Sequence, residues 1–378
     1  MFLHLDCRHY RGDRPCIYKR LCEGCPHYTP MGPRVLLIKL GALGDVVRTG
    51  CLLPGLAKLD EPPFVTWLTA PEARPLVERM PGVHRVLTFG PETVTQLEAE
   101  HFDTVICLDK EPAPCALATR VQAEKRLGVG LSRYGTVYPM NEHCNDYFRL
   151  GLDNEEKFHR NQKTYPQLIY EALDLGYRGE RYELELTEED RRRAEDRLAE
   201  LGIAPETLLV GLNPGAGAVF AMKAWRETGY VDLIKQLHRR RPELGFLLLG
   251  GPEERLLMER IATAAGDVPV YGGGHDHALG TFAGLIERCT AVVAGDTLAM
   301  HLGIGLGRPV VALFGPTCAQ EIDLFGLGRK IVTPADCAPC YARGLCDRSP
   351  NCQEMIAPQT VLEAVVEQLD RSEAPEKS

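Results

Sequence analysis

The chain has 378 residues, of which 44% are apolar and 25% charged, and a net charge of -9. That length exceeds one ordinary domain and suits two, each able to bury its own core. The acidic balance argues against a nucleic-acid partner, no stretch approaches the ~20 apolar residues that span a bilayer, and Met1 to Cys25 lacks the apolar run and cleavage site of a secretory signal. A cytoplasmic protein is therefore expected, in which 14 cysteines stay reduced and metal ligation competes with a disulfide framework.

Residues 1 to 33 form a Cys-, Arg- and Pro-rich segment without apolar periodicity. The apolar run Val35 to Ile38 then reads as a buried parallel strand, so the first domain, 34 to 186, begins there. Strand-like runs at Phe64 to Leu68, Val83 to Phe89 and Thr104 to Leu108 alternate with helical stretches Val46 to Leu59 and Glu72 to Met80. The stretch Asn141 to Glu185 contains one amphipathic helix, Tyr165 to Leu175. Thr187 to Leu201 reads as a charged surface helix, capped by Thr187 with Asp190 three residues on.

That helix opens a second domain, 187 to 357. Strands are expected at Leu208 to Leu212, Phe246 to Leu249, Val268 to Tyr271, Ala291 to Ala294 and Pro309 to Phe314, alternating with helices Thr228 to Arg240, Glu254 to Ala265, Leu279 to Arg288 and Leu298 to Leu306. The alternation predicts an α/β protein of two doubly wound, Rossmann-like parallel sheets in tandem. A last amphipathic helix follows at Pro358 to Leu369, and Ser372 to Ser378 should be disordered.

Ligands of open α/β sheets gather outside the carboxyl ends of strands. Three loops at such ends carry the candidate chemistry. In Lys39-Leu40-Gly41-Ala42-Leu43-Gly44-Asp45, Gly41 and Gly44 let backbone approach a substrate closely, and Asp45 offers a carboxylate; the plainer reading is that Asp45 only caps a helix. In Asn213-Pro214-Gly215-Ala216-Gly217, followed by Lys223, backbone amides can cradle a phosphate while the lysine neutralises it, against the alternative of a simple turn with a surface lysine. In Gly295-Asp296-Thr297-Leu298-Ala299-Met300-His301, the amides of Thr297, Leu298 and Ala299 lie at a helix N-terminus, which favours an anion such as a diphosphate. Asp296 suits a ribose or sugar hydroxyl, or the orientation of Lys223. His301 reads as a packed histidine bonded to a backbone carbonyl. Leu313 to Thr317 ends the next strand on the same side and closes the pocket wall.

The segments LIKLGALGDVVRT, NPGAG…MKAW, LLLGGPEE, GDTLAMHLG and RPVVALFGPT occur in the order and spacing of glycosyltransferase family 9, and the resemblance covers about residues 34 to 370. It implies a GT-B architecture, with the acceptor on the first domain, the nucleotide sugar on the second, and the final helix, 358 to 371, returning to the first domain. It also implies Asp45 as general base and Lys223 and Asp296 in the donor site. ADP-heptose is then the expected donor and the lipopolysaccharide core, at the inner membrane surface, the expected acceptor. Leu298, Met222 and Arg226 depart from the family's commoner Gly, Thr and Pro.

Joined to that resemblance, the loops describe an inverting transfer. Asp45 takes the acceptor proton while Lys223 and the Thr297 to Ala299 amides stabilise the departing diphosphate, without a catalytic metal. The alternatives are a transferase of the same fold using another nucleotide sugar or a protein acceptor, and a metal-binding interaction protein on a silent scaffold. A nicotinamide-dependent dehydrogenase is disfavoured because the glycine fingerprint is missing. Two cysteine sets, Cys7, Cys16, Cys22, Cys25 and Cys337, Cys340, Cys346, Cys352, each contain one CxxC and two further thiols, enough for a structural zinc or iron site.

Overall fold

The computed structural model of the protein describes residues 1–217, 221–341, 344 and 346–373. Where the sequence offers short apolar runs bounded by turn residues, the chain forms strands buried on both faces. The first sheet contains β1 (Arg34–Ile38), β2 (Phe64–Thr69), β3 (Arg85–Thr88), β4 (His101–Cys107), β5 (Gln122–Leu131) and β6 (Val137–Pro139), in the order β3-β2-β1-β4-β5-β6. Its pairings are parallel except that of β5 with the short β6.

The second sheet is parallel throughout and contains β7 (Leu209–Asn213), β8 (Gly245–Leu248), β9 (Val270–Gly272), β10 (Ala291–Gly295), β11 (Val310–Phe314) and β12 (Gly328–Val332). Read from β9, its order is β9-β8-β7-β10-β11-β12, the same doubly wound permutation as the first sheet. The strand order therefore reverses at two places, between β1 and β4 and between β7 and β10, and each reversal opens a crevice at the carboxyl ends of those strands.

The two halves touch directly. Helix Leu43–Thr49, which follows β1, packs against helix Leu298–Gly305, which follows β10. One apolar cluster runs through the contact, with Leu37 and Val47 on one side and Val292 and Leu302 on the other. The loop leaving β1 and the loop leaving β10 are thereby brought to the same place.

Several elements differ from the sequence reading. The helix expected over Val46 to Leu59 is broken into Leu43–Thr49 and Leu52–Ala57, because Pro54 inside a continuous helix would lose a hydrogen bond and press its ring on the carbonyl of Gly50. Thr187 and Asp190 form a reciprocal capping box, with Asp190 N to Thr187 Oγ1 at 3.1 Å and Thr187 N to Asp190 Oδ2 at 3.0 Å.

The final helix, Pro358–Glu373, does not return to the first domain. It packs on helix Glu227–Arg240 and the second sheet, burying Val361, Leu362, Val365 and Leu369 in that sheet's apolar cluster. Its apolar face extends the helical layer that helices Glu227–Arg240 and Arg255–Ala265 already form on that sheet. Of the tail expected to be disordered, Ser372 and Glu373 belong to this helix, and residues 374–378 lie outside the described residues.

Candidate active site

On the first sheet, the chain leaves β1 through Lys39 and Leu40, and leaves β4 through Asp109. The Asp109 carboxylate ties the two exits together, accepting from Lys39 Nζ at 2.6 Å and from Leu40 N at 2.6 Å. Lys39 and Asp109 are both buried, so one hydrogen-bonded ion pair fixes the loop that leads to Gly41, Gly44 and Asp45.

Asp45 sits in the first turn of helix Leu43–Thr49, whose N-cap is Ala42, and no side chain caps that end. It is therefore not a cap. Its carboxylate meets Arg48, one turn on, at 2.8 Å, and the Arg48 guanidinium lies 3.9 Å from the Tyr165 ring centroid. Burial pushes the Asp45 carboxyl up, but Arg48, Lys39, His301 and Lys223 outweigh it and hold the group below its ordinary value. The result is an ionised carboxylate whose side chain remains 38% exposed.

On the second sheet, Asn213 ends β7 and is clamped from three sides. Its Nδ2 donates to Leu249 O at 2.8 Å, its Oδ1 accepts from Thr297 Oγ1 at 2.9 Å, and its own carbonyl accepts from Tyr230 Oη at 2.8 Å. The Thr297 hydroxyl, spent on Asn213, leaves the first amides of helix Leu298–Gly305 without a side-chain cap. Those donors point to an anion. Beside them lies a cavity of about 630 Å³ lined by Asn213, Gly215, Thr297, Leu298 and Ala299, with Leu43 reaching in from the first domain. Gly215 is required there, since a Cβ would fall 2.1 Å from Glu254 Cγ.

Lys223 and Asp296 do not line that cavity but pair with each other, Nζ to Oδ2 at 2.9 Å and Nζ to the Asp296 carbonyl at 3.1 Å. Gly295 makes room for the lysine loop, because a Cβ on it would meet Lys223 O at 2.7 Å. Gln353 braces the same loop, its Nε2 donating to the carbonyls of Met222 and Lys223 at 3.0 Å each.

His301 joins the halves. It is buried as expected, but its Nδ1 meets the Tyr182 hydroxyl at 3.1 Å rather than a backbone carbonyl, and its Nε2 stands 3.9 Å from Asp296 Oδ1. Burial, then the Arg48 charge, brings its pKa down to about 4, so the imidazole is neutral near pH 7. Its ring lies on Gly44, where a Cβ would come within 2.7 Å of Cδ2. Gly44 is thus the close-approach glycine of the first loop, whereas a Cβ on Gly41 would meet nothing within 4 Å.

Two crevices of one topology, each tied across its switch point, are joined through Gly44 and His301. Residues 93–345 match glycosyltransferase family 9 (heptosyltransferase). The chain belongs to that family. It is a nucleotide-sugar-dependent glycosyltransferase with the family's two α/β domains.

The chain is 27% identical over 313 residues to lipooligosaccharide heptosyltransferase 2 of Haemophilus ducreyi, covering 75% of this chain and 84% of that one. Its fold is similar to that of the ADP-heptose lps heptosyltransferase II of E. coli, with a TM-score of 0.67 at 21% identity over 90% of this chain and 100% of that one. It is likewise similar to a family 9 glycosyl transferase of Veillonella parvula, with a TM-score of 0.69 at 19% identity over 90% of this chain and 98% of that one.

The sequence reading missed Arg48, Asp109, Tyr182 and Gln353. Arg48 carried a signal, lying three residues after Asp45 on a helix, and Asp109 stands just past an apolar strand run. Of the C-terminal cysteine set, Cys352 is buried, Cys337 and Cys346 are half-buried and Cys340 is exposed. Among the described residues, no group of three or more His, Cys, Asp or Glu side chains is placed to grip a single metal ion, and no helix is long and apolar enough to cross a membrane.

Proposed function

We propose that the protein transfers a heptose from ADP-heptose to the lipopolysaccharide inner core at the cytoplasmic face of the inner membrane, with inversion at the anomeric carbon. The observation that carries this reading is that the helix bearing Asp45 packs on the second domain, with Gly44 against the His301 ring and His301 Nε2 3.9 Å from Asp296, which pairs with Lys223 at 2.9 Å. The ADP-heptose and lipooligosaccharide in the relatives' names support the choice of donor and acceptor.

In this mechanism Asp45, kept ionised by Arg48, accepts the proton of the acceptor hydroxyl as that oxygen attacks the anomeric carbon. The bond to the diphosphate breaks on the opposite face, which inverts the configuration. Negative charge growing on the leaving ADP is met by the open amides at Thr297, Leu298 and Ala299 and by Lys223, fixed donors that need no rearrangement during the reaction. Asp296 holds the lysine until the donor arrives, and no step calls on a metal. Asn213 and Gly215 shape the loop that receives the diphosphate.

Purified protein is offered ADP-heptose with a core oligosaccharide that ends at the accepting sugar and lacks only the heptose to be added, and in parallel ADP-glucose and UDP-glucose. Release of ADP only with ADP-heptose and acceptor together, with a product of the anomeric configuration opposite to the donor's, supports the reading. Faster turnover of another nucleotide sugar, for which Leu298, Met222 and Arg226 leave room, overturns the donor assignment. A product retaining the donor's configuration overturns the mechanism.

A further inference from the structure

The first 33 residues are ordered by something other than an apolar core. Among the described residues they contribute nothing to the three buried apolar clusters, and Met1, Leu5, Ile17 and Leu21 are exposed. They contain no helix and a single isolated bridge, Cys7 to Pro30, flanked by Arg8 N to Thr29 O at 2.8 Å and Met31 N to Asp6 O at 2.8 Å. Their four cysteines are all free thiols. A segment this small and this poor in buried surface requires a staple.

The fold shows where the staple belongs. Cys7, Cys16, Cys22 and Cys25 ring one cavity of about 390 Å³. Three of them open tight turns, in which Tyr10 N donates to Cys7 O at 3.1 Å, Lys19 N to Cys16 O at 2.9 Å and Cys25 N to Cys22 O at 3.1 Å. Lys19 and Gly24 take left-handed backbone at φ 50° and 63° to close two of these turns. Tyr18 stacks on His27 and Tyr28 on His4, at 3.9 and 4.0 Å between centroids.

We propose that these four cysteines hold an iron–sulfur cluster. A tetrahedral zinc or iron ion needs four sulfurs each about 2.3 Å from one point, and no such convergence occurs among the described residues. Thiols spaced around a cavity instead match a polynuclear cluster, whose irons each take one outward thiolate.

The cluster lies away from the transfer chemistry. Pro33 O accepts from Phe64 N, and Arg34 begins β1, so the segment abuts the amino ends of the strands while Asp45 and Asp296 follow carboxyl ends. Its work is to order the N-terminal segment against that edge, with thiol protons released to solvent as the cluster assembles.

The test uses the full-length protein purified without oxygen. Iron, zinc and acid-labile sulfide are measured beside Cys16→Ala, Cys22→Ala and, from the other cysteine set, Cys340→Ser. The expected result is roughly four irons and four sulfides per chain, with a visible absorption band that bleaches on reduction, lost in the first two variants and kept in Cys340→Ser. Iron below ~0.2 equivalents in the parent protein overturns the proposal, since closed thiolate sites survive purification. So does about one equivalent of zinc without sulfide, or a cluster that persists in both Cys16→Ala and Cys22→Ala. The parent measurement decides even if a variant does not fold.

Discussion

Adding one methyl group at Gly44 should damage the enzyme without touching either substrate. The new Cβ would lie 2.7 Å from His301 Cδ2 and 3.4 Å from Nε2, well inside contact distance. The imidazole has nowhere to retreat, being 4% exposed and bonded to the Tyr182 hydroxyl. Relief must come from parting helix Leu43–Thr49 from helix Leu298–Gly305, the contact that brings Asp45 toward Lys223. Overpacking of this kind costs ~1–3 kcal/mol, or roughly 2–4 °C in midpoint per kcal/mol for a domain of 150–250 residues. Thermal unfolding and steady-state transfer would be measured on Gly44→Ala, His301→Ala and the double variant. Removing the ring should relieve the clash, so the double variant should be more stable than the two single effects predict when added. A Gly44→Ala protein with parent stability and turnover, or strictly additive effects, would refute the reasoning.

Lys223→Ala should weaken binding of a nucleoside diphosphate by calorimetry and lower kcat through the leaving group; unchanged affinity and kinetics would remove Lys223 from the donor site. The pH dependence of kcat/KM should be flat on its acid side down to about pH 5, because a base is lost only as pH falls through its pKa and Asp45 titrates below the ordinary carboxylate value. His301, with a pKa of about 4, adds no limb near pH 6.5, so an acidic limb there would contradict the assignment. Arg79 grips Asp190 at 2.5 and 2.6 Å, which, together with the Thr187 bonds, brings Asp190 down to about 2 despite its burial. That contribution is complete above the unfolded carboxylate pKa and is lost as pH falls toward 2. Asp190→Asn should therefore destabilise by about 2 kcal/mol at pH 7, by roughly half of that near pH 3 and by little near pH 2, read by urea unfolding at the three values.

Much of the fold was legible because buried parallel strands announce themselves as short apolar runs, and nine of the strands are of that kind or close to it. Three escaped: β5 and β12 begin with Gln122-Ala-Glu-Lys-Arg and Gly328-Arg-Lys, polar stretches that are exposed or half-buried, and β6, Val137–Pro139, has only three residues. The final helix was legible as amphipathic, but an apolar stripe does not say which sheet it will cover. At the site, Asp45, Asn213, Lys223 and Asp296 were visible as polar residues at strand ends. Their partners were not, since Lys39 meets Asp109 across 70 residues and Tyr182 meets His301 across 119, and no local pattern encodes such a pairing.

The central claim is that Asp45 is the base set against a donor site on the other domain. Asp45→Asn tests it most directly, with donor affinity measured by calorimetry and heptose transfer measured on the same preparation. The account predicts donor binding within a few-fold of the parent and transfer lower by ~10²-fold or more, the scale of lost acid–base catalysis. Transfer at near-parent rates by Asp45→Asn would contradict it.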